Sequence, residues 1–167
     1  MTSAELQDET TALLAELVRF NTVNPPGNER PAIEHLDRYL TAAGFDTEIL
    51  GTSESRPNLI ANLTGDDEGP TLVFLGHVDT VLADAGEWRH DPWSGDVEDG
   101  FLWGRGALDM KSQVAAEAVA GATLARAGWR PGRGTLRLVF LADEETGGDV
   151  GAKWLCTQHP EKVRCDM

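Results

Sequence analysis

The stretch Thr71-Leu72-Val73-Phe74-Leu75-Gly76-His77-Val78-Asp79-Thr80 decides the reading of this chain. Residues 71–75 carry no charge and run straight into a glycine, a histidine and an aspartate. A continuous apolar run of this length is the pattern of a strand buried on both faces. The polar residues lie just beyond its carboxyl end, where open α/β sheets place their sites. The arrangement recurs downstream. Thr135–Leu141 (TLRLVFL) is a second buried-looking strand, and Asp143-Glu144-Glu145-Thr146-Gly147-Gly148 follows it. A third polar cluster, Gly104-Arg105-Gly106-Ala107-Leu108-Asp109-Met110-Lys111, opens an alanine-rich helix, Ser112–Ala127, that ends at Gly128.

Outward from these clusters, helical and extended periods alternate. Leu6, Leu13, Leu14, Leu17 and Val18 fall at helical spacing. Asn21–Asn28 (NTVNPPGN) is a loop, because two prolines and a glycine interrupt any helix. A second helix is predicted from Glu29 to Ala43, with Ile33, Leu36, Tyr39 and Leu40 on one face and Gly44 as its cap. Phe45–Leu50 and Asn58–Leu63 read as strands and Gly65–Pro70 as a turn. Val97–Trp103 reads as a hairpin about Asp99-Gly100. Gly151–Gln158 suits a short helix stopped near Pro160, and Val163–Met167 the opening of another strand. Together these elements predict a layered α/β domain that the chain leaves unfinished.

Composition narrows the function classes. The 167 residues suffice for one domain with a real core. With 28 acidic against 14 basic residues, the net charge of -14 disfavours nucleic acid and anionic membranes as partners. The N-terminus lacks a basic region followed by an apolar one, so no secretory signal is read. No apolar run approaches the ~18–20 residues of a membrane span. Cys156 and Cys165 suit neither a disulfide framework nor a CxxC site; they read as reduced, half-buried thiols of a cytoplasmic protein.

Each polar cluster has a bland reading by itself: a surface histidine beside an acid, a helix N-terminal acid, a solvated acidic turn. Brought to one end of a sheet, they acquire a chemistry. On an extended segment His77 and Asp79 point the same way. Asp79 can then accept a hydrogen bond from one ring nitrogen and leave the other free for a metal. Asp109 offers two oxygens and can bridge two metals. Of Glu144 and Glu145, one can bind metal while the other handles the proton of an activated water. Imidazole and carboxylate ligands without thiolate suit catalytic zinc, with manganese or cobalt as alternatives. His35, His90 and His159 read as structural or solvent-facing. Arg105 and Lys111 can bind substrate anions, although solvated or salt-bridged roles fit them better.

Leu75–Val81 (LGHVDTV), Trp103–Lys111 (WGRGALDMK) and Leu141–Gly148 (LADEETGG), in this order and with Phe20–Glu29 (FNTVNPPGNE) ahead of them, resemble a known family. It comprises the dinuclear zinc hydrolases that include acetylornithine deacetylase, succinyl-diaminopimelate desuccinylase, aminoacylase and glutamate carboxypeptidase. The resemblance implies a three-layer, zinc-exopeptidase-like catalytic domain with a mixed central sheet. It implies that His77 binds one zinc, Asp79 orients His77, Asp109 bridges both zincs, Glu145 binds the second, and Glu144 is the general base and acid. It also implies a cis Asp109–Met110 peptide. The substrates would be N-acyl amino acids or small peptides, cleaved at the amide bond.

The chain also departs from that family's pattern. A further metal-binding carboxylate and a late histidine are missing, as is the lid domain that often forms a dimer interface. Residues 1–167 therefore read as the N-terminal portion of a catalytic domain, with each zinc short of one protein ligand. The rival readings are a non-catalytic fold or metal-binding module, and a single-metal or phosphatase-like hydrolase.

Overall fold

The computed structural model describes residues 2–167. Helices α1 (Ser3–Arg19) and α2 (Arg30–Ala43) precede strands β1 (Asp46–Gly51), β2 (Pro57–Thr64) and β3 (Asp67–His77). The small hairpin of β4 (Asp96–Glu98) and β5 (Phe101–Trp103) leads to helix α3 (Lys111–Arg126) and strand β6 (Arg133–Leu141). Helices α4 (Ala152–Gln158) and α5 (Pro160–Val163) close the series. The hairpin turns at Asp99 and Gly100, both at positive φ, as the Asp-Gly pair predicts.

The main sheet has the order β1-β2-β6-β3. β1 and β6 each pair antiparallel with β2, whereas β3 and β6 are parallel, so the sheet is mixed. Side chains alternate across β2 with the period of two that a strand requires. Leu59, Ala61 and Leu63 pack with Leu136, Leu138 and Phe140 against α1, α2 and α3. Ile60, Val139 and Leu141 face the opposite layer, where Leu155 of α4 meets them. The result is the layered arrangement expected from the alternating elements, in the three layers that the resemblance implied.

Four expectations are corrected. The run 71–75 is not buried on both faces: β3 is the last strand of the sheet, and Leu72, Phe74 and Leu75 are 37%, 44% and 49% exposed. Hydrophobicity alone cannot tell a strand with two neighbours from one with a single neighbour. Residues 67–70, predicted as part of a turn, already belong to β3, with an irregular register between Asp67 and Thr71. Cys156 and Cys165 are free but exposed, because each lies where no sheet face covers it. In the last predicted strand, Val163 instead ends α5, and only the final residues reach β3. Asp166 and Met167 donate to Thr71 O, and Val73 donates to Met167 O.

Helix α3 lies directly on the end of β3. A Cβ added at Gly76 would come within 2.9 Å of Val114 Cγ2, so glycine permits the close approach. Glu117, on the same helix, has a buried Oε2 without a hydrogen-bond partner. Burial raises its pKa above the ordinary glutamate value. The folded state then holds this proton more tightly than the unfolded chain, so Glu117 lowers stability as pH rises through and beyond the unfolded value of about 4.3. Glu117→Gln is therefore expected to raise stability at about pH 8, with the gain shrinking towards pH 4 in urea titrations. A gain of equal size at both values would contradict this account.

Candidate metal centre

Strand pairing assembles the site. His77 lies opposite Leu141 in the parallel β3–β6 ladder, and Val78 N donates to Leu141 O at 2.9 Å. Residues 77–80 and 142–145 therefore leave the sheet side by side. The segment after α1 joins them: Thr80 N donates to Thr22 O, Asn24 N to Thr80 O, and Thr22 Oγ1 to Val78 O.

Asp79 is fully buried at the centre of this junction. Its Oδ1 accepts from Glu144 N at 3.1 Å, and its Oδ2 accepts from Glu145 N at 3.1 Å and Asn24 Nδ2 at 2.9 Å. His77 Nδ1 lies 3.3 Å from Asp79 Oδ1 and 3.1 Å from the Asp79 carbonyl. Burial alone would push the Asp79 carboxyl up, but donors from His77, Asn24, Glu145 and Glu144 outweigh it and hold the pKa low. For His77 the balance has the opposite sign. Burial disfavours the imidazolium, yet the Asp79 carboxylate overrides it and raises the pKa to about 9. With Nδ1 engaged, Nε2 faces outward, 3.2 Å from Asp109 Oδ1 and 3.7 Å from Glu144 Oε2.

Asp109 arrives from the loop between β5 and α3, and the Asp109–Met110 peptide is cis, as the resemblance implied. The next residue corrects an expectation. Lys111 is neither solvated nor salt-bridged but completely buried. Its Nζ donates to Leu17 O at 3.0 Å and Phe20 O at 2.9 Å, at the carbonyl end of α1. Burial lowers its pKa to about 7. Its backbone N–H closes on Gly106 O at 2.9 Å. The lysine thus ties α1, the Asp109 loop and the start of α3 together.

Ligand atoms of His77, Asp109 and Glu145 all lie within 4.8 Å of one another. Partial burial raises the Glu145 pKa, the His77 charge opposes that, and Asp109, Asp79 and Glu144 add to it. An imidazole nitrogen facing clustered carboxylates is a donor set that fits a divalent cation, which relieves their mutual repulsion. The remaining histidines keep away: His35 pairs with Glu16, His90 stacks on Trp103, and His159 meets Trp154 edge-on.

The sequence reading missed the polar network behind these groups. Asn24 Nδ2 also lies 3.1 Å from Asp143 Oδ1 and 2.9 Å from Thr146 Oγ1. Arg56 Nη2 donates to Asp143 Oδ1 at 3.0 Å and to Glu29 Oε1 at 2.9 Å, with Glu29 fully buried. Asp143 sits in the left-handed region at φ 70°, which turns the chain so that Glu144 and Glu145 face the site. Burial would raise its carboxyl pKa, but Thr146, Val150, Asn24 and Arg56 hold it far below the usual range. Asp143 and Thr146 stood in the polar cluster after the second apolar strand, and Asn24 and Glu29 in the Phe20–Glu29 stretch, but nothing local marked Arg56 as their partner.

Residues 73–167 match the model of Peptidase family M20/M25/M40. The chain belongs to this family. It is 46% identical over 139 residues to a succinyl-diaminopimelate desuccinylase of Xanthobacter autotrophicus, covering 80% of this chain and 35% of that protein. Human carnosine dipeptidase 1 superposes with a TM-score of 0.75 at 26% identity, over 92% of this chain and 35% of that one. An M20 metallo-carboxypeptidase from Sulfolobus solfataricus shares the fold with a TM-score of 0.79 at 20% identity, over 95% of this chain and 36% of its own. The chain thus spans little more than a third of each of these proteins. M20 sequences are those of metal-dependent hydrolases, and the His77, Asp109 and Glu145 cluster is where this one gathers ligand-type side chains.

The Asp79 hub can be tested without any metal. In Asp79→Asn an amide NH₂ must face one pair of its donors, whichever way the side chain turns. Such a clash of buried donors is expected to cost about 2–4 kcal/mol in urea unfolding. Asn24→Ala removes fewer bonds and is expected to cost about 1–2 kcal/mol. Equal, negligible changes in both variants would remove Asp79 from the centre of the account.

Proposed function

We propose that residues 1–167 form the N-terminal portion of the catalytic domain of a zinc-dependent amide hydrolase, a deacylase or exopeptidase. Its substrates would be N-acyl amino acids or small peptides. The observation that carries this reading is the His77, Asp109 and Glu145 cluster, whose ligand atoms lie within 4.8 Å of one another in an M20 chain. His77 Nε2 and Glu145 would hold one zinc each, and Asp109, with its two oxygens, would bridge them. Cobalt or manganese could take the same donors. Metal bound there would supply Lewis acidity towards the substrate carbonyl and make water nucleophilic at neutral pH.

The chain's own residues would do the rest. Asp79 keeps the His77 ring oriented and its Nδ1 engaged, which leaves Nε2 as the ligand. Glu144, whose side chain is 60% exposed, would take a proton from the attacking water and pass it to the leaving amine. The lid region, the further ligand for each metal and any dimer interface would come from sequence beyond these residues, in keeping with the 35% of the Xanthobacter protein that the chain covers. Among the described residues no helix is long and apolar enough to cross a membrane. A cytoplasmic location is part of the proposal.

Exchange of Glu144 separates proton transfer from metal binding. In the full enzyme Glu144→Gln is expected to retain its zinc, measured by elemental analysis. Its hydrolysis of N-acyl amino acids should fall by about 10²–10⁴-fold. Metal loss in proportion to activity would show that Glu144 is a ligand instead.

A further inference from the structure

A cleft of about 260 Å³ adjoins the metal-site carboxylates, lined among others by Val81, Trp88, Arg105, Leu108, Asp109 and Glu145. Arg105 is its one basic lining residue. The guanidinium carbon lies 5.2 Å from the centre of the Trp88 ring. Among the described residues its side chain makes no ion pair or hydrogen bond, and its Nε is buried without an acceptor. Asp109 and Glu145 share the cleft, yet neither comes within ion-pairing distance of it, although the chain carries a net charge of -14. A cation held by an aromatic face instead of by a carboxylate keeps its donors available.

The backbone that carries Arg105 is also held. Its backbone N–H donates to Pro92 O at 2.8 Å. Gly106 beside it has φ +81°, and a Cβ there would meet Thr80 Cγ2 at 2.6 Å, so glycine permits this loop to approach the residues that follow His77.

We propose that Arg105, seated on Trp88, anchors a carboxylate of the substrate while the scissile amide lies at the His77, Asp109 and Glu145 cluster. This rests on the hydrolase reading above. Planar guanidinium binds planar carboxylate with paired hydrogen bonds, so the contact fixes orientation as well as charge. Zinc at Asp109 and Glu145 would engage the two acids that otherwise compete for the arginine. The carboxylate can belong either to the acyl group or to the amino acid that leaves, and two ligands separate these sources.

The probes are N-succinyl-propylamine, with an acyl-side carboxylate, N-acetylalanine, with an amine-side one, and neutral N-acetyl-propylamine. Each is titrated into the zinc-loaded full enzyme, wild type and Arg105→Gln, with circular dichroism confirming the fold. The wild type is expected to bind one carboxylate-bearing probe at least about tenfold more tightly than the neutral one, as charge-assisted bonds allow. Arg105→Gln should abolish that preference with zinc affinity unchanged, and Arg105→Lys should keep part of it. The preferred probe identifies the side of the amide. No preference in the wild type, or one that survives in Arg105→Gln, overturns the proposal. Failure of the full wild-type enzyme to bind zinc, read first in the same titration, overturns the hydrolase reading instead.

Discussion

One buried carboxylate organises this molecule. Asp79 has no exposure, and its two oxygens are shared among His77, Asn24 and the backbone N–H groups of Glu144 and Glu145. A charge taken out of water is tolerated only when such donors replace its hydration. Those donors come from the loop after α1, the end of β3 and the turn after β6. Satisfying Asp79 therefore requires all three to be in place. The same bonds turn the His77 ring outward and present Glu144 and Glu145 to one space.

That convergence has a simple topological cause. β3 and β6 are parallel neighbours, so both apolar strands release their polar residues at the same edge. α3, which connects them, begins beside that edge, and it brings Asp109 with it. Buried Lys111 locks this start to the carbonyl end of α1, where partial negative charge favours an ammonium. Asp143, held by Arg56, Asn24 and Thr146, supports the opposite side.

The three clusters were legible in the sequence because strand periodicity and placement after apolar runs are local features. His77 and Asp79 are two residues apart, and Glu144 and Glu145 adjoin, so their joint presentation follows from backbone geometry. The cis peptide after Asp109 was implied by family resemblance and not by spacing. Partners distant along the chain were not legible. Asn24 reaches Asp79 across 55 positions and Thr146 across 122. Arg56 and Glu29 look like surface residues until the fold closes over them. Lys111 failed the usual reading of lysine for the same reason. The run 71–75 misled differently: its pattern reports hydrophobicity, while burial depends on whether another strand or helix lies alongside.

The central claim is that Asp79 and its neighbours build a metal-binding end on this sheet. Anomalous diffraction from zinc-soaked crystals of the chain tests it most directly. The account predicts a zinc peak at ligand distance, about 2.0–2.2 Å, from His77 Nε2 and an Asp109 oxygen, lost in His77→Ala. Zinc bound elsewhere, or bound here with His77 Nε2 uninvolved, would contradict it.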